Sequence, residues 1–319
     1  EKSFLTALVD QAFRSREPRR VVDQFLHLLR KSGVPCFFSW KDRLLLRAFL
    51  QLGFIFPRLS YILIVRRLRS DAAQTVLAEE PEKLEPHLRR RRAQGLRVNL
   101  NHLGEEVLGD DEARRRLEHY RDSLGNPQID TISIKISSIC AQLHPLGFSH
   151  FAEVLEERLA EIYRAALEHS NRQEGSGEAR SCREKLVYLD MEAYHDIELT
   201  LKVFMKTLER PEFLKLHAGI VLQAYLPDSF IVQQQLISWT HERVRNGGAP
   251  LRMRLVKGAN LAMEQFESEQ HGWTLPVYAT KIETDANFKR MLEEGIRPQV
   301  LEGLKLGVAS HNLFDLAFA

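Results

Sequence analysis

The sequence has 319 residues, enough for one large domain and a smaller one. Its 44% apolar and 28% charged content is that of an ordinary globular chain, and a formal net charge of only +2 gives no sign of a strong polyanion binder. Its three cysteines, Cys36, Cys140 and Cys182, stand far apart with no spacing for zinc or an Fe–S cluster, and such usage points to a reducing cytosol.

Residues 1–94 read as helices. Leu5, Leu8, Val9 and Phe13 fall at helical spacing, and Val21, Val22, Phe25, Leu28 and Leu29 repeat the pattern until Gly33 and Pro35 end it. A third helix follows Trp40, and Pro57, Pro81 and Pro86 punctuate further helical pieces. The apolar stretch Phe49 to Val65 is broken by Gln51, Pro57 and Arg58 and is too short to span a bilayer. No signal-peptide pattern is present. The basic clusters Arg66, Arg67, Arg69 and Arg89 to Arg92 read as solvated helix faces, with phosphate or membrane-surface contact as the alternative.

From residue 95 onward the pattern alternates. Leu96 to His102 reads as a strand, followed by a helix capped by Asp110 or Asp111. Thr131 to Ser137 is a second strand, and Ser149 caps a helix from His150 to about His169. After a polar loop, Lys185 to Asp190 is the third strand, with a helix to about Glu209. Gly219 to Tyr225 is the fourth, with a helix from about Asp228 to Arg245 that Gly247 and Gly248 end. Leu251 to Val256 is the fifth and Lys305 to Ser310 the sixth. The chain begins at Glu1 and stops at Ala319 inside a helical pattern, so it reads as a fragment of a longer protein. Strict βα alternation predicts a parallel sheet with crossover helices. No GxGxxG follows the first strand, which disfavours a dinucleotide fold. The reading is an incomplete (βα)8 TIM-type barrel, about six of eight strands over residues 95–319, preceded by an all-α helical arm over 1–94.

The active face of such a barrel lies at the C-terminal ends of its strands. There the sequence places Glu105, Lys135, Asp190, Glu192, Gln223, Arg254, Lys257, His311 and Asn312. Ionisable groups in apolar strands are costly unless paired or used. Each alone has a plain structural explanation: Lys135 pairing with Asp190 or Glu105, Arg254 clamping Asp190. Five strand ends carrying such groups exceed what a passive core needs. Gly258, after Lys257, admits a bulky ligand to the backbone, and the lysine suits a phosphate or an electron-rich ring. His102, His144 and His195 lack ligand spacing and read as ordinary polar residues.

An ordered series of short motifs runs across residues 96–312. These are Leu103-Gly-Glu105, Ile134-Lys-Ile-Ser137 with His144-Pro145, Leu189-Asp-Met-Glu192, Gln223-Ala-Tyr225 and Arg254-Leu-Val-Lys-Gly-Ala259. Pro276-Val-Tyr278 with Lys281 and Thr284-Asp285, and Ala309-Ser-His-Asn312, complete it. Taken together they resemble the proline dehydrogenase family, in particular the barrel domain of bifunctional proline utilisation flavoenzymes. The resemblance implies bound FAD and oxidation of L-proline to Δ1-pyrroline-5-carboxylate by hydride transfer to flavin N5, the first step of proline catabolism. It also implies electrons passed to a membrane quinone, peripheral contact at the inner face of the membrane, and fusion to an aldehyde dehydrogenase domain. Carried over by motif position, Lys135 pairs with the proline carboxylate, Asp190 orders the substrate pocket, Leu255 packs near the flavin ring, and Glu105 forms a gating ion pair with an arginine. Gln223, Arg254, Val256, Lys257, Gly258, Ala259, Thr284, His311 and Asn312 contact FAD.

Two departures stand out. Asn260-Leu261 follows the KGA motif where many relatives carry aromatics, and the family's last strands and paired-arginine helix lie beyond residue 319. An open barrel exposes sheet edges, so the fragment alone is expected to be poorly stable and inactive. Two other classes remain as alternatives. A Schiff-base lysine aldolase would use Lys135 or Lys257, and a non-catalytic assembly module would bind partners without flavin.

Overall fold

A computed structural model of the chain describes residues 11–12, 14–15, 17–34, 39–72, 76–103, 107–171 and 184–319. It divides into two compact units, Glu1–His87 and Leu88–Ala319. The division falls a little ahead of the boundary expected at 94.

Among the described residues the first unit is helical: α1 (Pro18–Ser32), α2 (Trp40–Leu52), α3 (Pro57–Ala72) and the start of α4 (Pro81–Ala93). Proline opens α1, where its missing N–H costs nothing. The expected stripe is buried: Val21, Val22, Phe25, Leu26, Leu28 and Leu29. Phe25, Leu28 and Leu29 pack with Ala12, and Leu46, Phe49, Leu50 and Ile64 lean against them. The Phe25 and Phe49 rings meet edge to face at 5.3 Å. Ser39 caps α2 by accepting the Asp42 N–H. Among the described residues no helix is long and apolar enough to cross a membrane.

The second unit alternates as read from the sequence. In order come β1 (Asn99–Asn101), α5 (Asp110–Gly125), β2 (Thr131–Ile134), the single turn α6 (Ile136–Ile139), α7 (Phe148–Asn171), β3 (Leu186–Leu189), α8 (Ile197–Leu208) and β4 (Ala218–Gln223). Then follow α9 (Ser229–Arg245), β5 (Leu251–Val256), α10 (Leu261–His271), α11 (Lys281–Gly295), α12 (Pro298–Leu301), β6 (Leu304–Val308) and α13 (Leu313–Phe318). The strands are parallel and lie in the order β1-β2-β3-β4-β5-β6. A doubly wound sheet would reverse its order at a switch point, so sequential order identifies the partial barrel.

Several boundaries moved. β1 is shorter than expected, and β2 stops at Ile134 because Ile136–Ile139 turns helical. Gly109, not Asp110 or Asp111, occupies the N-cap of α5, and both aspartates sit in its first turn where the helix dipole favours them. Ser149 lies inside α7, which starts at Phe148 directly after a 3-10 turn at Pro145–Gly147.

Burial along β5 shows how the sheet faces divide. Leu251, Met253 and Leu255 are buried, while Arg252, Arg254 and Val256 are half-buried. Alternate residues of a strand point to opposite faces, so the first set meets the helical layer and the second the barrel interior. The register carries that inner face across the sheet, pairing Ser133 with Tyr188, Tyr188 with Gly219, Gly219 with Arg252, and Val221 with Arg254.

Candidate active site

On the inner face, the Arg254 guanidinium donates to Asp190 Oδ1 at 2.5 Å and to Ser133 Oγ at 3.3 Å. Ser133 Oγ also accepts from Asn99 Nδ2 at 2.9 Å. β5 and β2 are three strands apart, roughly 14 Å in a flat sheet at the usual strand spacing. An arginine cannot span that distance, so the Arg254 bond to Ser133 is direct evidence that the sheet curls. The guanidinium also stacks over the Tyr188 ring, 5.0 Å from its centroid. Tyr188 fits there because its partner is Gly219: a Cβ on Gly219 would lie 2.2 Å from the tyrosine ring.

Asp190 follows β3 and its carboxylate side chain is 13% exposed. Burial raises its pKa above the ordinary value, against the opposing pull of Arg254, Ser133 and Lys135. Lys135 stands just past β2, at the N-cap of α6. Its Nζ pairs with Glu192 Oε1 at 2.5 Å, and Ser137 donates to the other oxygen of Glu192. Among the described residues its partner is thus Glu192 rather than Asp190. Gln223 at the end of β4 is 4% exposed. Its Nε2 donates to the Met191 carbonyl at 3.1 Å, while its Oε1 is buried without a hydrogen-bond partner.

A second cluster begins three residues along from Arg254. Lys257 Nζ contacts Asp285 at 2.5 Å and Asp315 at 2.7 Å. Burial pulls the Lys257 pKa down, but the hydrogen bonds to both carboxylates leave it above its ordinary value. Burial likewise opposes the lowering of Asp285 and Asp315, and the Lys257 contact prevails at both. Lys281 joins Asp285, and Ser310 Oγ donates to Asp315 at 2.8 Å. Asn312 donates its N–H to Ser310 Oγ and caps α13 by accepting from Phe314 N–H. Thr284 lies beside Asp285 in the first turn of α11 and is half-buried; His311 is exposed beside Asn312.

Between the two clusters the chain passes through Val256, whose carbonyl accepts from Ala224 N–H at 2.8 Å, and Lys257, whose carbonyl accepts from Tyr225 N–H at 2.7 Å. Gly258 has φ +132, a conformation L side chains avoid, and a Cβ there would meet the Tyr225 ring at 2.4 Å. Gly258 and Ala259 are exposed on this rim.

Lys135, Asp190, Gln223, Arg254, Val256, Lys257, Gly258 and Ala259 therefore lie along one rim, and Thr284 and Asn312 are carried to it by Asp285 and Ser310. Leu255 is not among them. It is fully buried on the opposite face of β5, because the pleat turns it away from Arg254. Glu105 lies outside the described residues. The sequence reading missed Ser133, Asn99, Tyr188 and Asp315 as partners. Two-residue spacing could have flagged Ser133, two before Lys135, and Tyr188, two before Asp190; no local signal marks Asp315.

A parallel barrel sheet with part-buried ion pairs gathered on its C-terminal rim is the architecture of a barrel enzyme. A family model described as proline dehydrogenase matches residues 84–319, and the chain belongs to the proline dehydrogenase family. Proline dehydrogenase 2 of Bacillus subtilis (strain 168) is 26% identical over 227 residues, covering 71% of this chain. The chain spans 60% of that relative's length. Proline utilization A (PutA) of Corynebacterium freiburgense is 45% identical with a TM-score of 0.72, over 80% of this chain and 25% of that one. PutA of Bdellovibrio bacteriovorus, in a structure inactivated by N-propargylglycine, shares the fold at 24% identity and a TM-score of 0.71, over 99% of this chain and 35% of that one.

Proposed function

We propose that the chain forms most of the catalytic barrel of an FAD-dependent proline dehydrogenase, which oxidises L-proline to Δ1-pyrroline-5-carboxylate and passes the electrons on to quinone. The observation that carries this reading is the Arg254–Asp190–Ser133 contact across the curled sheet, flanked by Lys135 on one side and Gln223 on the other. It gathers cations and polar groups from four strands where substrate and cofactor would meet.

The residues present fit a flavin. Gln223 Oε1 is a buried acceptor without a donor, and an N–H of the isoalloxazine ring would satisfy it. Arg254 in β5 and Lys257 just past its end offer cations, and Gly258 leaves the rim free of a side chain. Val256, Ala259, Thr284, His311 and Asn312 would complete the cofactor contacts. When bound, FAD supplies the two-electron acceptor that no side chain can provide.

The remaining work belongs to the chain. Lys135 would bind the substrate carboxylate, exchanging part of its bond with Glu192 for that contact. Asp190 would hold Arg254 in place and border the pocket. Oxidation removes a hydride from the ring carbon beside nitrogen and a proton from nitrogen, leaving a C=N bond, and the rim's contribution is to hold that carbon in position. At Lys257 the lysine-aldolase alternative loses ground, because that amine, bridged by two carboxylates, is held more basic than usual, the opposite of what a Schiff-base amine needs.

Among the described residues β1 and β6 are the two edges of the sheet. With neither edge paired among those residues, the chain by itself is proposed to sustain little turnover, so the informative signal is bleaching of bound flavin by L-proline in a single anaerobic turnover. The purified chain is expected to retain FAD and to bleach with L-proline but not D-proline. Gln223→Ala and Arg254→Ala should lose flavin at unchanged helix content. A folded chain that takes up no FAD at millimolar concentration would refute the reading.

A further inference from the structure

Beyond the rim itself, the loop that follows β3 is held from outside. Residues 190–192 supply Asp190 to Arg254, the Met191 carbonyl to Gln223 and Glu192 to Lys135. Two residues further on, Tyr194 opens a 3-10 turn, Tyr194–Asp196, and its backbone N–H is one of that turn's unmet donors. The N–H donates to Glu264 Oε1 at 2.8 Å, across 70 residues of sequence.

Glu264 is only 4% exposed, although it lies in the first turn of α10. A glutamate serving the helix dipole alone would stay in water, since burying a carboxylate is costly unless it is hydrogen-bonded. Burial raises its pKa despite the Tyr194 bond, which shows that desolvation is being offset only in part. The same tyrosine is held a second time. Its hydroxyl donates to Asp228 Oδ2 at 2.8 Å, at the start of α9. The third strand's loop is thus pinned to the helices that follow the fourth and fifth strands. Asn260, the N-cap of α10, comes directly after Lys257-Gly258-Ala259. Glu264 therefore ties the segment carrying Lys257 to the segment carrying Asp190 and Glu192.

We propose that Glu264 is a positioning residue: by holding the Tyr194 N–H it fixes residues 190–194 against the loop of the fifth strand, and so keeps Asp190 and Glu192 in register with Arg254 and Lys135. The consequence for proline rests on the proposed function; the consequence for the loop does not.

The test compares Glu264→Ala with Glu264→Gln in the FAD-loaded chain by two readouts. The first is hydrogen exchange of the Tyr194 amide. Glu264→Ala should accelerate it about tenfold or more, while Glu264→Gln, which keeps an acceptor oxygen, should leave it protected. The second is flavin bleaching. Glu264→Ala should raise the half-saturating L-proline concentration about tenfold with the limiting rate changed far less, and Glu264→Gln should restore it. Unchanged Tyr194 exchange in Glu264→Ala overturns the proposal. Equal loss of flavin, melting temperature and proline response in both variants also overturns it, because that marks a purely structural carboxylate. If Tyr194 exchange behaves as stated but L-proline never bleaches the wild-type flavin, the positioning role stands and the proposed function falls.

Discussion

Lys185 enters β3 from the end of the sheet opposite the active rim, and it is 1% exposed. Its ammonium donates to the carbonyls of Asn126 at 2.8 Å and Ile129 at 2.5 Å. Burial lowers its pKa from 10.5 to about 8. Between those values the unfolded chain holds a proton that the folded chain has released. Unfolding then takes up a proton, so stability rises with pH from about 8 to 10.5; below about 8 both states are protonated and the gain is absent. Urea midpoints measured across that window should climb for the wild type and stay flat for Lys185→Met. The same variant should lose roughly 1–3 kcal/mol at pH 7, because two carbonyls are left without a donor. The sequence marked Lys185 only as the first residue of a strand. Its burial depends on carbonyls more than fifty positions away, which no local pattern encodes. Lys135 and Arg254 differ in this respect. Their position at strand ends made both legible, while their partners Glu192 and Ser133 emerged only when the strands came together.

At the scale of elements, β3, β4 and β5 form one mechanical unit. Gly219 leaves space for the Tyr188 ring, and that ring supports the Arg254 guanidinium. Gly219→Ala is expected to destabilise the chain by about 1–3 kcal/mol, the usual scale of overpacking. It should also weaken flavin retention, since Arg254 would lose its support; the checks are a thermal melt and the flavin-to-protein absorbance ratio. A Gly219→Ala chain with normal stability and full flavin would show that the tyrosine can move aside without consequence. β5, Leu251 to Val256, was readable because its apolar and basic positions alternate from Leu251 to Leu255. β2 was not, because Lys135 and Ile136 continue the alternation past the point where the backbone turns helical. Leu255 shows the same limit at a functional position. The family resemblance carried it over by motif position as a ring contact, yet neighbours on a strand face opposite ways and Leu255 is buried away from Arg254.

For the molecule as a whole, cofactor binding and folding are linked. A flavin that binds only the folded barrel at a hundred times its Kd should add about 2.7 kcal/mol to its stability. In a unit of this size that corresponds to roughly 5–11 °C in melting temperature. A melt with and without excess FAD tests it, and no shift would count against the cofactor reading. The sequence by itself determined the division into a helical part and an alternating part, the parallel sheet with its strands in order, and the family, because hydrophobic periodicity and ordered motifs are local properties of the chain. Only the tertiary structure decided that Glu192 answers Lys135 and Asp315 answers Lys257, that Leu255 lies on the opposite face of β5 from Arg254, and that Glu264 holds Tyr194. Those outcomes depend on the pleat, the register and the curl of the sheet, which bring together residues separated by as many as 121 positions.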